Sequence, residues 1–126
     1  MSAFYSCRKF ESVVIPSKIT EIERYVFYDC TSLVSVTFMA NLTSIGDSSF
    51  DGCTNLPSFE IHETVNSIGQ SSFRNCRSFT NITIPKSITV IPSESFSSCR
   101  NLNLIIFLGN ITTIDEDAFY QCTSLT

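Results

Sequence analysis

The sequence has no tryptophan, four glycines, four prolines, two methionines and one histidine, His62. With so few glycines, no Gly-rich loop exists to cradle a phosphate. With one histidine, the chain cannot supply the paired imidazoles of a common zinc set. Positive charge is scarce as well. Lys and Arg number 8 against 12 Asp and Glu, a net charge of -4, so nothing neutralises a phosphate backbone and nucleic acid is excluded as a partner. No apolar run approaches the ~18 residues of a membrane-spanning helix, so no membrane insertion is expected. The opening stretch Met1–Cys7 lacks the charged start and apolar body of a secretion signal.

What is present is material for a core: 43% of residues are hydrophobic and 12% aromatic, with only 16% charged. A length of 126 residues suits one small domain or a piece of something longer. The six cysteines, Cys7, Cys30, Cys53, Cys76, Cys99 and Cys122, stand 23 residues apart without a gap. Such a period marks a stacked repeat. Other columns keep the same phase. Three residues after each Cys come Phe10, Leu33, Leu56, Phe79, Leu102 and Leu125. Fifteen after, the residue is always Ile: Ile22, Ile45, Ile68, Ile91 and Ile114. Twenty after, it is always Phe: Phe27, Phe50, Phe73, Phe96 and Phe119, with Phe4 in phase before Cys7.

Each unit reads C-x-x-L-x-x-V-x-I-x-x-x-I-x-x-I-x-x-x-x-F-x-x. The L-x-x-V-x-I portion matches the strand-bearing part of a leucine-rich repeat, in which inward and outward residues alternate. The reading predicts an α/β-type leucine-rich-repeat solenoid with a parallel sheet on its concave face. One short strand falls in each coil: Ser12–Ile15, Ser35–Phe38, Ser58–Ile61, Asn81–Ile84 and Leu104–Phe107. Pro16 and Pro85 end two of them, since proline cannot donate to a ladder. The segments Asp47–Cys53, Gln70–Cys76 and Ser93–Cys99 are expected to hold single helical turns. The whole chain, 1–126, forms one array of about five repeats, cut in mid-repeat at both ends. A lone unit cannot bury its apolar face, so stacking at about 4.8 Å must do so, with the phenylalanines filling the far side.

The pattern resembles the BspA-like class of leucine-rich repeats, whose 23-residue units carry I-x-x-I-G-x-x-x-F-x-x-C-x-x-L. The closest copies run from Leu42 through Ile45, Gly46, Phe50 and Cys53 to Leu56, and from Val65 through Phe79. Glu23, Pro92 and Asp115 depart from the Gly after the Ile, and Phe10 and Phe79 from the Leu. The resemblance implies a cell-surface or secreted protein of mucosal bacteria or parasitic protists. It implies adherence to host cells or matrix through a protein partner. The family offers no catalytic motif to carry over, so no enzyme activity, cofactor or metal is expected.

Six cysteines in a short chain ordinarily suggest disulfides. The period accounts for them otherwise, as one small buried residue per coil. Parallel side chains in a stack also leave the Cβ atoms farther apart than the roughly 3.8 Å a disulfide prefers. His62 shares a strand face with Glu60, with Glu63 beside it, and reads as solvated. The 20 Ser and 13 Thr are spread throughout, and no G-x-S-x-G turn holds one as a nucleophile. Asn41, Asn81 and Asn110 head Asn-x-Thr acceptors, and Arg74, Arg77 and Arg100 form a small basic rim.

The informative residues point outward from the strands. Ser12 and Val14 begin the series, followed by Ser35, Thr37 and Met39, then Ser58, Glu60 and His62. Asn81 and Thr83 come next, and the last row is apolar: Leu104, Ile106 and Leu108. Solenoids bind partners on this face. The expected binding set is Val14, Thr37, Met39, Glu60, His62, Thr83, Leu104, Ile106 and Leu108. The alternative is a structural, self-assembling unit, a homo-oligomer joined through uncapped ends or its last strand.

Overall fold

The computed structural model describes residues 4–126. Met1, Ser2 and Ala3, the start of the stretch read for a leader, lie outside the described residues. Two strand columns run through the stack. The longer one holds β1 (Ser12–Ile15), β3 (Ser35–Phe38), β6 (Asn81–Ile84) and β8 (Leu104–Phe107). Two-residue strands form the second column: β2 (Glu21–Ile22), β4 (Ser44–Ile45), β5 (Ser67–Ile68), β7 (Val90–Ile91) and β9 (Thr113–Ile114). Every pairing is parallel, and partners sit one repeat apart, as in Val13↔Val36, Ile22↔Ile45 and Ile82↔Ile105. The fold is a parallel-strand solenoid of leucine-rich-repeat type, with two strands in most coils rather than the single one expected.

Two expectations need correction. First, no helix occurs among the described residues, so the coil is all-β and turns rather than α/β. The backbone explains this. Each far-side segment carries two residues in the left-handed region, such as Tyr25 (φ 60°) and Asp29 (φ 56°), or Ser71 (φ 53°) and Asn75 (φ 60°). A helix requires φ near −63° throughout, so left-handed residues every four positions forbid one. The amides are also committed elsewhere. Phe27 N–H donates to the Ser49 carbonyl at 2.8 Å, Phe50 to Ser72 at 2.8 Å and Phe73 to Ser95 at 2.8 Å. These are bonds to the next coil, not to the preceding turn of the same one.

Second, Ser58–Ile61 is not a strand. The long column is therefore two separate pairs, β1–β3 and β6–β8, with an unpaired coil between them. The second column is also cut once, into β2–β4–β5 and β7–β9. Pro92 sits at that cut. Gly46 and Asp115, in the same column, donate their N–H to Ile22 and Ile91 carbonyls at 2.7 and 2.9 Å. A proline there has nothing to donate.

The core lies between the columns. Phe27, Phe50, Phe73 and Phe96 are wholly buried and stack ring on ring, with centroids 5.1, 5.5 and 5.5 Å apart in sequence. Phe4 and Phe119 extend the stack at either side, at 5.4 and 5.6 Å. Burying one such ring contributes roughly 1.5–3 kcal/mol, and offset aromatic pairs add about 0.5–1.5 more. Coils approach closely at the Ile–Gly step: a Cβ on Gly69 would lie 2.4 Å from the Asp47 nitrogen. Only glycine fits where backbone meets backbone.

Candidate interaction surface

The strand face is built by alternation. Within β6 the pattern is exposed, buried, exposed, buried, so Ile82 and Ile84 enter the core while Asn81 and Thr83 stand outward. All nine residues of the expected binding set are exposed. Registry brings some together. Val14 stands opposite Thr37, and Thr83 opposite Ile106. Met39 and Leu108 are the most exposed of the set's apolar members, at 67% and 64%. Leu104 and Ile106 extend the apolar surface of the last row, with Phe107 also partly exposed. Asn41, Asn81 and Asn110 are exposed as well.

The unpaired coil divides this face. At the first residue of each strand step, the chain N–H reaches back one coil: Val34 donates to Glu11 at 2.7 Å and Asn103 to Thr80 at 2.9 Å. The residue in that column of the third coil is Pro57, which has no N–H. At the far end of the strand step, Met39 donates to Ile15 at 3.0 Å and Leu108 to Ile84 at 3.0 Å. The fourth coil holds Pro85 there, so among the described residues the Ile61 carbonyl accepts no main-chain bond. Phe59 adds bulk in a column otherwise occupied by Val13, Val36, Ile82 and Ile105. Its ring packs tilted against the stacked pair Phe50 and Phe73, at 5.0 and 5.1 Å. Only Thr80 N–H, 3.4 Å from the Pro57 carbonyl, links the strip's neighbourhood to the fourth coil here.

Two clefts result. One, of about 440 Å³, follows five consecutive residues, Val34–Phe38, and is closed on the other side by Ser58, Phe59, Glu60 and His62. The other, of about 530 Å³, lies between 58–63 and Asn81, Ile82 and Thr83, with Pro85 and Leu108 on its wall. Glu60 and His62 line both, Thr37 the first, and Thr83 and Leu108 the second. Val14, Met39, Leu104 and Ile106 line neither. His62 turns Nδ1 toward Thr64 Oγ1 at 2.9 Å, and that hydroxyl donates to the Leu42 carbonyl at 2.6 Å. The imidazole is thereby anchored to the second coil. Among the described residues, no three His, Cys, Asp or Glu side chains gather as a metal set.

The opposite, turn-bearing side is closed. The six cysteines are free; Cys7 is half-buried and the other five are buried. Each buried thiol donates to the Phe carbonyl of the preceding coil: Cys53 to Phe27 at 3.2 Å, Cys76 to Phe50 at 3.3 Å, Cys99 to Phe73 at 3.1 Å and Cys122 to Phe96 at 3.0 Å. Cys30 does the same to Phe4 at 3.1 Å. Each of these Phe carbonyls also accepts the Cys N–H of its own coil, as Phe50 does from Cys53 at 3.1 Å. Both lone pairs of a buried carbonyl are thus used. Reading the cysteines as small apolar fillers missed this donor role. Burial pushes the Cys30 thiol up to about 11 and raises those of Cys53, Cys76, Cys99 and Cys122, so all stay protonated.

Arg74 is not part of a free basic rim. It bonds Asp51, 2% exposed, through Nε at 3.0 Å, and Glu94 through Nη1 at 2.8 Å, while Asn75 donates to Asp51 at 3.0 Å. These bonds hold the guanidinium pKa above its ordinary value. Arg77 and Arg100 stay exposed. The Arg–Asp column was legible only as opposite charges 23 residues apart.

A solenoid with one Cys, one Ile and one Phe column per 23-residue coil defines a leucine-rich-repeat protein. The chain belongs to the BspA-type leucine-rich-repeat family, whose profile matches six copies over residues 1–126. It is similar in structure to a leucine rich cell surface protein from Faecalibacterium prausnitzii A2-165, at 27% identity and a TM-score of 0.83, covering 99% of this chain and 40% of that one. It is also similar to a leucine-rich repeat protein from Bacteroides ovatus, at 29% identity and 0.84, covering 98% and 38%. A leucine rich repeat protein from T. pallidum shares the fold at 23% identity and 0.81, over 99% and 69%. The chain spans about two fifths of the first two proteins. No curated protein sequence matches it. Among the described residues, no helix is long and apolar enough to cross a membrane.

Proposed function

We propose that the chain is a non-catalytic protein-binding module of a surface or secreted adhesin, and that it binds through its strand face. One observation carries this reading: the outward residues of successive coils form an exposed, registered surface that the core does not use. Family membership and likeness to a protein described as a cell surface protein support the location. The test is adhesion of the labelled chain to mucosal epithelial cells and to immobilised matrix. Lys at both Glu60 and Thr83 should impair adhesion while moving stability by no more than about 0.5 kcal/mol, as exposed changes usually do. Greater loss from substitutions at the exposed Arg77 or Arg100, with stability unchanged, would assign binding outside the strand face instead.

A second reading, self-assembly, is favoured by the last row. Leu104 and Ile106 on β8 and Leu108 just after it form an exposed apolar row with no charge between them. Light scattering discriminates the two readings. Concentration-dependent dimers abolished by Leu104→Lys with Ile106→Lys support assembly, whereas a monomer at millimolar concentration removes it.

A further inference from the structure

We infer that the cleft between β3 and the strip Ser58–Ile61 receives an extended peptide segment of the partner, which pairs by main-chain hydrogen bonds and presents a Lys or Arg to Glu60. This rests on the protein-binding reading and names the chemistry of the partner.

The first ground is an unspent set of backbone groups. Among the described residues, no main-chain N–H or C=O of Ser58, Phe59, Glu60 or Ile61 bonds another protein group. The four equivalent residues of the coils on either side are all in strands. The β3 edge toward the strip is unpaired too, because β3 pairs only with β1. A strand edge and an unpaired segment therefore face one another across a cleft, each showing backbone donors and acceptors. Such edges are templates for another strand.

The second ground is that the opening is built in covalently and is local. Pro57 and Pro85 remove one donor on each side of the strip, and Phe59 holds it in place by packing its buried ring against both Phe50 and Phe73. Nearby, the same coils remain joined. Asn66 N–H meets the Thr43 carbonyl at 3.0 Å, Ser87 Oγ meets Val65 at 2.6 Å, and the Phe50 and Phe73 amides continue the turn-side ladder. The cleft is a fixed feature of a continuous stack rather than a separation of two halves.

The third ground is shape and charge. The wall made by Val34–Phe38 is five consecutive residues in extended form, so the cleft is linear and suits a chain more than a compact solute. Its volume of about 440 Å³ falls in the range of ligand sites, roughly 300–1,000 Å³. Glu60 is the only carboxylate in the lining, and no Lys or Arg lines it. Glu63 stands just beyond, on the second cleft. A cationic side chain entering here meets an acceptor with no resident competitor, whereas an acidic one meets repulsion.

The experiment uses the purified chain and three probes in isothermal titration: acetyl-Thr-Lys-Val-Lys-Thr-amide, its Glu counterpart, and the Lys peptide N-methylated at alternate amides. The Lys peptide should bind at least tenfold more tightly than either of the others. Glu60→Gln should weaken it about fivefold. Pro57→Thr, which supplies the N–H that Thr80 supplies one coil on, should weaken it at least tenfold by closing the ladder. Equal binding of the Lys and Glu peptides, indifference to N-methylation, or no binding of any probe would overturn the inference. Should Pro57→Thr fail to fold, the N-methylated probe and Glu60→Gln still decide. A chain that adheres to cells but ignores these peptides defeats this inference alone. Peptide binding without adhesion defeats the adhesin reading alone.

Discussion

The two faces of this solenoid obey the same 23-residue period and end up differently. On the turn side, every coil contributes the same donors to the next: the Phe amide to the following coil and the Cys thiol to the preceding Phe carbonyl. On the strand side, the same logic holds for the first two coils, fails at the third, and resumes at the fourth. The difference teaches that a repeat's core columns and its hydrogen-bond ladder are separate specifications. A side chain can satisfy the core, as Phe59 and Ile61 do, while a proline next to it denies the ladder its donor. The strand face can spare part of its ladder because the turn side holds the stack together.

Alkali breaks the turn side most severely. Above the ordinary thiol pKa of about 8.5, the unfolded chain releases protons that the folded chain keeps. Stability is therefore fully present below that pH and falls as pH rises toward about 11, where Cys30 itself is half ionised. Each buried thiol contributes a slope of about 1.4 kcal/mol per pH unit, so the set adds several times that. The Tm should be flat from pH 6 to 8 and collapse above about pH 9. A Tm unchanged at pH 10.5 would refute the buried-thiol ladder.

Next in size is the core shared by both faces. Phe73→Ala, in mid-stack, should cost about 3–5 kcal/mol as a cavity substitution, measured by denaturant titration. Cys76→Ala sharpens the comparison: it removes the thiol bond to the Phe50 carbonyl but leaves the backbone bond from Cys53, and should cost about 1–2 kcal/mol. Asp117, exposed and left-handed at φ 57°, probes the turns that replace the expected helices. Asp117→Val should lose about 1–2 kcal/mol and Asp117→Gly should lose little, since only the first opposes that conformation. A helical turn there would reverse the order. Smallest of all, Thr37→Ala and Thr83→Ala on the strand face should stay within about 0.5 kcal/mol.

Much of this was legible in the sequence, for a physical reason. Burial selects side-chain type, and a linear stack repeats the selection every 23 residues, so the Phe, Ile and Cys columns announce the core and the strand phase. The four long strands fall where the alternation places them, and the outward residues follow. Hydrogen-bond donors carry no such signature in hydropathy. Pro57 had to be weighed as a missing N–H rather than as a loop residue. The second strand column escaped because two residues, such as Ser67–Ile68, are too few to show a period of two. The helical turns were misread because spacing cannot reveal that Ser48 and Ser71 adopt positive φ. The thiol bonds link Cys to a Phe 26 residues earlier, a pairing visible only once the coils are stacked.

Amide hydrogen exchange read residue by residue tests the central contrast most directly. The amides of Phe27, Phe50, Phe73 and Phe96 on the turn side, and of Ile82 and Ile84 in β6, should exchange only through global unfolding. Those of Phe59, Glu60 and Ile61, in the same fold and only one coil away, should exchange orders of magnitude faster. Protection of 59–61 equal to that of Ile82 and Ile84 would mean the ladder is continuous on both faces, and would contradict the account.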